Sequence, residues 1–325
     1  MVRVAIIGYG YWGINIAKTI SKLKDQGVGF EIETIFDQDN SRVQEAQKLY
    51  SFTPYESFDQ ILDNERIEAL FIITPPQTHY ALAKKGLQSR KHIFVEKPLT
   101  TNSREAYELY ELAEKNEVIL HCDHVFLHSP AVRYLKENMS SFGDIVYINS
   151  RRINLGLFQS SVDVIWDLAI HDLSIIDALI KLEIKKVNTF SRKYQSYPND
   201  ALANINIELK NGVIITINVS WLSPVKVREM IIGGTQKSVV YDDTKRDKIK
   251  IYDSGVIVKD ELDKNSLYAK MVEYKLGEEY TPKLPSYLSL DKSIECFYKC
   301  ILQNTQEDRE HTLRVIEALE VISKI

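Results

Sequence analysis

The chain has few cysteines, and their number is odd. Its 325 residues include Cys122, Cys296 and Cys300 and no other cysteine. A disulfide-stabilised secreted protein uses more cysteines, in even number, so the sequence indicates reduced thiols in the cytoplasm. Cys296 and Cys300 stand four residues apart, on one face of a predicted helix. Because no histidine or further cysteine completes a ligand set at a recognisable spacing, we expect no metal site.

Long apolar runs and blocks of one charge are also missing. No stretch approaches the roughly 20 apolar residues that span a bilayer, and the apolar run before Gly8 is too short for the core of a signal peptide. The formal net charge of -4 comes from 45 acidic and 41 basic residues. Without a basic block, we expect neither a membrane nor a nucleic-acid partner. The ordinary globular composition and the length fit two domains.

A glycine-rich loop follows the first predicted strand. After the apolar residues 2–7, the residues Gly8, Gly10 and Gly13 form a G-x-G-x-x-G pattern. The first glycine permits a tight turn, the second lets a pyrophosphate approach, and the third lets the next helix pack closely on its strand. We therefore expect this loop, with Tyr11 and Trp12, to bind a dinucleotide.

An acidic residue ends the second predicted strand. Asp37 follows the apolar residues 31–36 and stands about 24 residues after Gly13, near the spacing of a ribose-binding acid. A carboxylate there accepts hydrogen bonds from the ribose 2′-hydroxyl and repels a 2′-phosphate. We therefore expect NAD rather than NADP, although Arg42 is close enough in sequence to bind a phosphate.

The order of predicted elements changes near residue 123. Before it, short apolar strands alternate with helices, which predicts a doubly wound parallel sheet. After it, alternating segments dominate, and Asn211-Gly212 marks a hairpin between two of them. The sequence thus predicts an α/β fold, with a Rossmann domain over 1–122 and an α+β domain over 123–325 that contains a large, mostly antiparallel open sheet. We expect the helices of about 291–325 to pack back on the first domain.

Two further segments carry side chains suited to proton transfer. Glu96-Lys97-Pro98 follows the predicted strand 92–95, at the sheet edge where open α/β folds bind ligands. Asp167 and His171 stand at i and i+4 in the predicted helix 165–181 and project from one face. Alone, such a lysine is most often a surface charge and such a histidine a core residue. Their combination with a dinucleotide site favours catalysis.

Together these segments resemble the Gfo/Idh/MocA oxidoreductases, and the resemblance extends over nearly the whole chain. The matching segments are Gly8 to Gly13, Thr74-Pro75-Pro76 to His79, Glu96-Lys97-Pro98, Asp123-His124-Val125-Phe126 and Asp167 to His171. The resemblance implies a nicotinamide cofactor, sugar or cyclitol substrates and an open sheet that often forms the oligomer interface. It also implies Lys97, Asp167 and His171 as catalytic residues. Residues 161–166 depart from the glycine-rich approach of many members, which leaves the shape of the substrate open.

Several other residues are expected at the site. Residues 151–159 are similar to those of nucleotide-sugar dehydrogenases, such as UDP-N-acetylglucosamine 3-dehydrogenases. Further cofactor contacts are expected from Thr74, Pro75, His79, Glu96 and Lys97. Substrate contacts are expected from Lys97, His124, Arg152, Asn154, Asp167 and His171.

These residues suggest the reversible oxidation of a secondary alcohol on a sugar-like ring. His171 is the first choice for the general base, since its ordinary pKa of about 6.5 suits proton abstraction at neutral pH. Lys97 would stabilise the alkoxide, or act as the base itself if burial lowers its pKa. Asp167 would hold a neighbouring hydroxyl or orient the Lys97 ammonium. The alternatives are a dehydrogenase of free cyclitols or aldoses and a catalytically idle NAD-binding regulatory protein. We expect a homo-oligomer, dimeric or tetrameric, formed through the C-terminal sheet.

Overall fold

The computed structural model describes residues 1–258 and 272–324, and it divides the chain into two compact units. The first unit comprises Met1–His128 together with Tyr287–Glu320, and the second comprises Ser129–Ser286 and the chain end from Val321. The first unit thus ends at His128 rather than at residue 122, because the helical turn Val125–His128 packs against a C-terminal helix of the same unit.

A parallel sheet forms the centre of the first unit. Its strand order is β2-β1-β3-β4-β5, and every neighbouring pair is parallel. The strands are β1 (Val2–Ile7), β2 (Phe30–Phe36), β3 (Ala69–Ile72), β4 (His92–Glu96) and β5 (Leu120–Asp123). The helices between them are α1 (Tyr11–Asp25), α2 (Asn40–Gln47), α3 (Phe58–Asp63), α4 (His79–Gln88) and α5 (Ser103–Lys115). This arrangement confirms the predicted Rossmann fold.

Aromatic side chains fill the core of this unit. The rings of Phe71 and Phe94, on β3 and β4, have centroids 4.8 Å apart. Phe297 lies 5.6 Å from each of them and belongs to α8 (Ser289–Gln303), which therefore covers the sheet. Aromatic pairs at such distances contribute about 0.5–1.5 kcal/mol beyond the area they bury. The last helix, α9 (Arg309–Ser323), packs beside α5, where Glu320 accepts hydrogen bonds from Ser103.

Side chains of the α8–α9 loop cover the free edge of the sheet. β5 is the edge strand, and the side chain of Gln306 both accepts from the Leu120 N–H and donates to the Leu120 carbonyl. Asp308 accepts a hydrogen bond of 2.8 Å from the Cys122 N–H. Backbone groups that face outward from β5 are therefore paired within the chain.

A larger sheet forms the second unit, with the order β13-β12-β11-β10-β6-β9-β8-β7. Its pairs are antiparallel except for β6 with β9, which confirms a mostly antiparallel sheet. The strands are β6 (Ile145–Leu155), β7 (Ile184–Lys193), β8 (Asp200–Leu209), β9 (Ile214–Ser220), β10 (Leu222–Gly234), β11 (Ser238–Asp242), β12 (Ile249–Val258) and β13 (Val272–Tyr280). Gly212 adopts a φ of +89° in the predicted hairpin between β8 and β9.

Helices α6 (Pro130–Asn138) and α7 (Ile170–Ile180) belong to the second unit. The predicted helix 165–181 begins with a π-helical turn, Ile165–Ala169, before α7 continues as a regular helix. Oδ1 of Asp163 starts the turn by accepting 3.0 Å hydrogen bonds from the N–H groups of Ile165 and Trp166. Within residues 1–258 and 272–324, no helix combines the length and apolarity needed to cross a bilayer.

Candidate active site

The glycine loop between β1 and α1 is shaped by close backbone contacts. Gly8 has a φ of +98°, and a Cβ there would lie 2.7 Å from the carbonyl oxygen of Ile73. A Cβ on Gly13 would lie 2.2 Å from the carbonyl oxygen of Gly8, whereas one on Gly10 would meet nothing closer than 3.7 Å. Gly8 and Gly13 are thus required by the turn and by helix packing. Gly10 instead leaves open space at the start of α1, where a pyrophosphate fits against the backbone.

Asp37 joins the end of β2 to this loop. Its Oδ2 accepts a 2.7 Å hydrogen bond from the Tyr9 N–H, and its Oδ1 accepts a 2.9 Å bond from the Asp39 N–H. Nη1 of Arg42 lies 3.4 Å from Oδ2. Since a carboxylate has about four acceptor positions, Asp37 retains capacity for a ribose hydroxyl.

Tyr11 and Trp12 occupy the first turn of α1 with exposed side chains. Their rings meet edge to face, with centroids 5.6 Å apart. This places two aromatic surfaces next to the open space at Gly10. Thr74 and Pro75 follow β3, and the hydroxyls of Thr74 and Thr78 lie 2.7 Å apart.

His79, which was expected at the cofactor, is held between two backbone carbonyl groups. The ring is fully buried, with Nδ1 2.7 Å from the Pro98 carbonyl oxygen and Nε2 2.7 Å from that of Thr74. Burial lowers the pKa of His79, although both carbonyl contacts oppose that shift. His79 therefore ties the turn after β3 to the turn after β4, and its contact with the cofactor stays a prediction.

Lys97 directly follows β4, beside two carboxyl groups, the half-buried Glu96 and the buried Asp123. Glu96 and Asp123 are register partners on β4 and β5. Desolvation, and next to it the charge of Asp123, raises the pKa of Glu96 to about 8. Burial also raises the pKa of Asp123, against the effect of a 2.7 Å hydrogen bond from the Ser293 hydroxyl. The pair therefore keeps a proton at pH values where exposed carboxyl groups are ionised.

Asp123 and Ser293 were absent from the predicted site. Asp123 had one usable signal, since adjacent parallel strands end at the same edge and β5 ends directly beside Glu96. Ser293 lies on α8, 170 residues from Asp123, and no local sequence motif predicts its contact with that residue.

In the second unit, Asp167 lies in the π-helical turn and His171 in the first turn of α7. The Trp221 indole N–H donates a 3.0 Å hydrogen bond to Oδ2 of Asp167. Sequence reasoning missed Trp221, which follows β9. Asp167 and His171 are both half-buried, so each retains an accessible surface.

Arg152 and His124 were expected to touch substrate, but both are buried. Nε and Nη2 of Arg152 lie 3.1 and 2.9 Å from Oδ1 of Asp172, in a buried ion pair that joins β6 to α7. His124 packs edge to face on His311, with ring centroids 5.1 Å apart. Both residues thus have structural contacts within the chain, and their contacts with substrate stay predictions. Asn154, on β6, is half-buried.

Comparison with known families gives two matches. Residues 2–124 match the model described as an oxidoreductase family with an NAD-binding Rossmann fold, and residues 142–240 match the Gfo/Idh/MocA C-terminal domain.

Individual relatives have low sequence identity to this chain. UDP-N-acetylglucosamine 3-dehydrogenase from Acidithiobacillus ferrooxidans is 27% identical over 232 residues, which is 71% of each chain. The scyllo-inositol 2-dehydrogenase (NAD(+)) of Bacillus subtilis is 27% identical over 251 residues, again 71% of each chain. A solved structure of UDP-N-acetylglucosamine 3-dehydrogenase from Acidithiobacillus ferrooxidans has a TM-score of 0.82 at 23% identity, covering 98% of this chain and 96% of that one. At that identity the structural likeness shows the fold.

Proposed function

Because the chain belongs to the Gfo/Idh/MocA family of oxidoreductases, we propose that it oxidises a secondary alcohol of a sugar with NAD. The main observation that supports this proposal is the position of Lys97. This residue directly follows β4 of the sheet whose first strand leads into the glycine loop, and ligands of open α/β sheets bind at that carboxyl edge.

NAD, when bound, supplies the hydride acceptor, so the protein has to position the alcohol and move one proton. In the proposed mechanism His171 removes the hydroxyl proton, and Lys97 stabilises the developing negative charge on oxygen. Asp167, oriented by Trp221, accepts a hydrogen bond from a neighbouring hydroxyl. The alternative base is Lys97.

Two substitutions test these roles. Lys97→Met and His171→Ala should each lower kcat by about two orders of magnitude or more, since general acid–base groups contribute about 10²–10⁴-fold. NAD binding, measured by nicotinamide fluorescence or calorimetry, should persist in both variants. Turnover at the wild-type rate in either variant would remove that residue from the mechanism.

The preference for NAD over NADP rests on Asp37. Its carboxylate lies against the glycine loop, and the neighbouring cation Arg42 contacts both Asp37 and Asp39. A 2′-phosphate would bring negative charge next to two carboxylates. Asp37→Ser should raise KM for NAD at least about tenfold and improve the relative use of NADP. An unchanged cofactor ratio would contradict this assignment.

We propose a nucleotide sugar as the substrate, supported by the relative that is named a UDP-N-acetylglucosamine 3-dehydrogenase. A free cyclitol is the second candidate, because a scyllo-inositol dehydrogenase matches an equal share of the chain. NADH absorbance across a panel of UDP-sugars, inositols and aldoses separates the two. Reduction of NAD by none of them, with NAD binding intact, would favour the regulatory protein instead.

We also propose a homo-oligomer formed through the exposed face of the larger sheet. Tyr147, Phe190 and Ile214 lie on that face and are 39%, 66% and 49% exposed. In sedimentation experiments, Phe190→Asp and Ile214→Asp should shift the protein to lower mass. Leu302→Asp, at an exposed position on α8, is the matched control. A monomeric wild-type protein would overturn the proposal.

A further inference from the structure

Two thiols and a carboxylate converge at the end of α8, away from Lys97 in the sequence and not used in the mechanism above. The Sγ atoms of Cys296 and Cys300 and one carboxylate oxygen of Glu307 all lie within 4.8 Å of one another. The Cys296 thiol donates a hydrogen bond to Oε2 of Glu307, with a sulfur–oxygen distance of 3.6 Å.

The cluster follows from the local fold. Cys296 and Cys300 are four residues apart on α8, so their side chains project from one face about one turn apart. Asn304 ends the helix in the left-handed conformation, with a φ of +50°. The chain then reverses, the Thr305 N–H bonds to the Cys300 carbonyl, and Glu307 returns to the thiols. Glu307 could not be predicted as a third ligand, because the turn at Asn304 that brings it to the thiols is visible only in the structure.

The dimensions suit a tetrahedral metal ion. With metal–sulfur bonds of about 2.3 Å and metal–oxygen bonds of about 2.0 Å, neighbouring ligand atoms lie about 3.5–3.8 Å apart. One sulfur–oxygen distance of the cluster already has that length, and the widest separation needs to close by about 1 Å. We propose that Cys296, Cys300 and Glu307 form a binding site for a thiophilic divalent cation, with Zn²⁺ the best match and water as the fourth ligand.

Accessibility supports the same site. Glu307 is exposed and Cys296 is half-buried, so an ion and its water can reach the thiols. A metal takes cysteine as the thiolate, so the thiol protons leave when the ion binds.

Occupancy of this site would act on the loop that covers β5. Gln306 and Asp308 flank Glu307 and hold the backbone of Leu120 and Cys122. A cation bridging α8 to Glu307 would fix these two side chains in place and stabilise the first unit, independently of cofactor or substrate.

Metal binding to the purified, reduced full-length protein tests the proposal. Zn²⁺ titrated against a chromophoric chelator should bind at one equivalent per chain. Co²⁺, added as a spectroscopic probe, should give the sulfur-to-cobalt charge-transfer band and the intense visible bands of tetrahedral thiolate coordination. No Zn²⁺ uptake by protein with three titratable thiols, or Co²⁺ spectra without sulfur ligation, would overturn it.

Substitutions locate the ion. Cys296→Ser and Cys300→Ser should abolish the Co²⁺ charge-transfer band, and Glu307→Gln should weaken Zn²⁺ binding about tenfold or more. Cys122→Ser and Glu310→Gln are the controls for a thiol and for an exposed carboxylate outside the cluster, and both should bind as the wild type does. Because Cys300 is buried and its variant could lose stability, Glu307→Gln provides the test in a folded protein. Undiminished Zn²⁺ affinity in Glu307→Gln and in Cys296→Ser would refute the assignment.

Discussion

The indole N–H of Trp221 donates a 3.0 Å hydrogen bond to Oδ2 of Asp167. Trp221 is buried and follows β9, while Asp167 lies in the π-helical turn before α7. The bond therefore fixes the carboxylate of a proposed substrate ligand from a rigid part of the second unit. In that position Trp221 orients Asp167 and does not itself react.

Trp221→Phe should lower kcat about ten- to a hundredfold, because a hydrogen bond to a charged acceptor contributes about 1.5–3 kcal/mol. Binding of NAD, which belongs to the first unit, should stay unchanged. Trp166→Phe is the matched control, since it removes an indole next to Asp167 and leaves the hydrogen bond from Trp221. Steady-state kinetics that show the same loss in both variants would point to general damage of the turn.

Alanine at two glycines of the loop should affect two different properties, folding stability at Gly13 and NAD binding at Gly10. Gly13→Ala places a methyl group 2.2 Å from a backbone oxygen, so it should reduce the free energy of unfolding by at least about 1–3 kcal/mol. Gly10→Ala meets no atom closer than 3.7 Å and should leave stability near the wild type. Its methyl group would instead fill the space meant for the pyrophosphate and weaken NAD binding at least about tenfold. Thermal unfolding and calorimetric titration with NAD distinguish the two effects.

Stability should fall as the pH rises from about 6.5 toward 8, a range in which the buried histidines with lowered pKa values are largely neutral in both the folded and the unfolded state. The raised pKa of Glu96, about 8, means that the folded protein binds a proton which the unfolded chain has already released. Asp123→Asn removes the charge of Asp123, which is the second cause of the raised Glu96 pKa after burial, and should therefore reduce the dependence, leaving the part due to burial of Glu96 itself. Urea unfolding at a series of pH values measures the slopes, with Glu310→Gln as control. Equal slopes in wild type and Asp123→Asn would disprove the coupling.

Arg152→Ala should cost about 3–5 kcal/mol of folding free energy, because it leaves Asp172 as a buried, uncompensated charge. Replacing both members, as in Arg152→Met with Asp172→Leu, should restore most of that loss. Urea midpoints at constant slope provide the measurement. A stable Arg152→Ala variant with a raised KM for the sugar would instead revive the role in substrate binding expected from the sequence.

The parts of the fold that could be predicted from the sequence are those set by a few neighbouring residues. Apolar strands, the glycine loop and the Asn211-Gly212 turn each act within a few residues, and the structure contains all of them. Strand β13 was not predicted, because it lies at the edge of the sheet and its residues 274–280 are exposed. A half-buried strand is predicted from alternating buried apolar and exposed polar residues, and β13 lacks this pattern because its apolar residues Tyr274 and Leu276 are exposed.

The site residues also divide into those with a local sequence motif and those that only the folded chain brings to the site. Motif residues such as Lys97 and Asp167 could be named from the sequence, and their roles remain proposals. Their partners could not, because Trp221 lies 54 residues from Asp167 and contacts it only through the folded sheet. The sequence likewise could not show that Arg152 pairs with a buried aspartate, Asp172, because the two residues stand 20 apart on different elements.

The side chains along the outer edge of β5 bear on how the protein behaves at high concentration. An exposed edge strand is a template on which another molecule can add a strand, and such addition is a route to aggregation. Gln306 already pairs with the N–H and the carbonyl of Leu120, and Asp308 with the N–H of Cys122. This side of the Rossmann sheet is thereby closed to intermolecular pairing, a protection that depends on two polar side chains in a short loop.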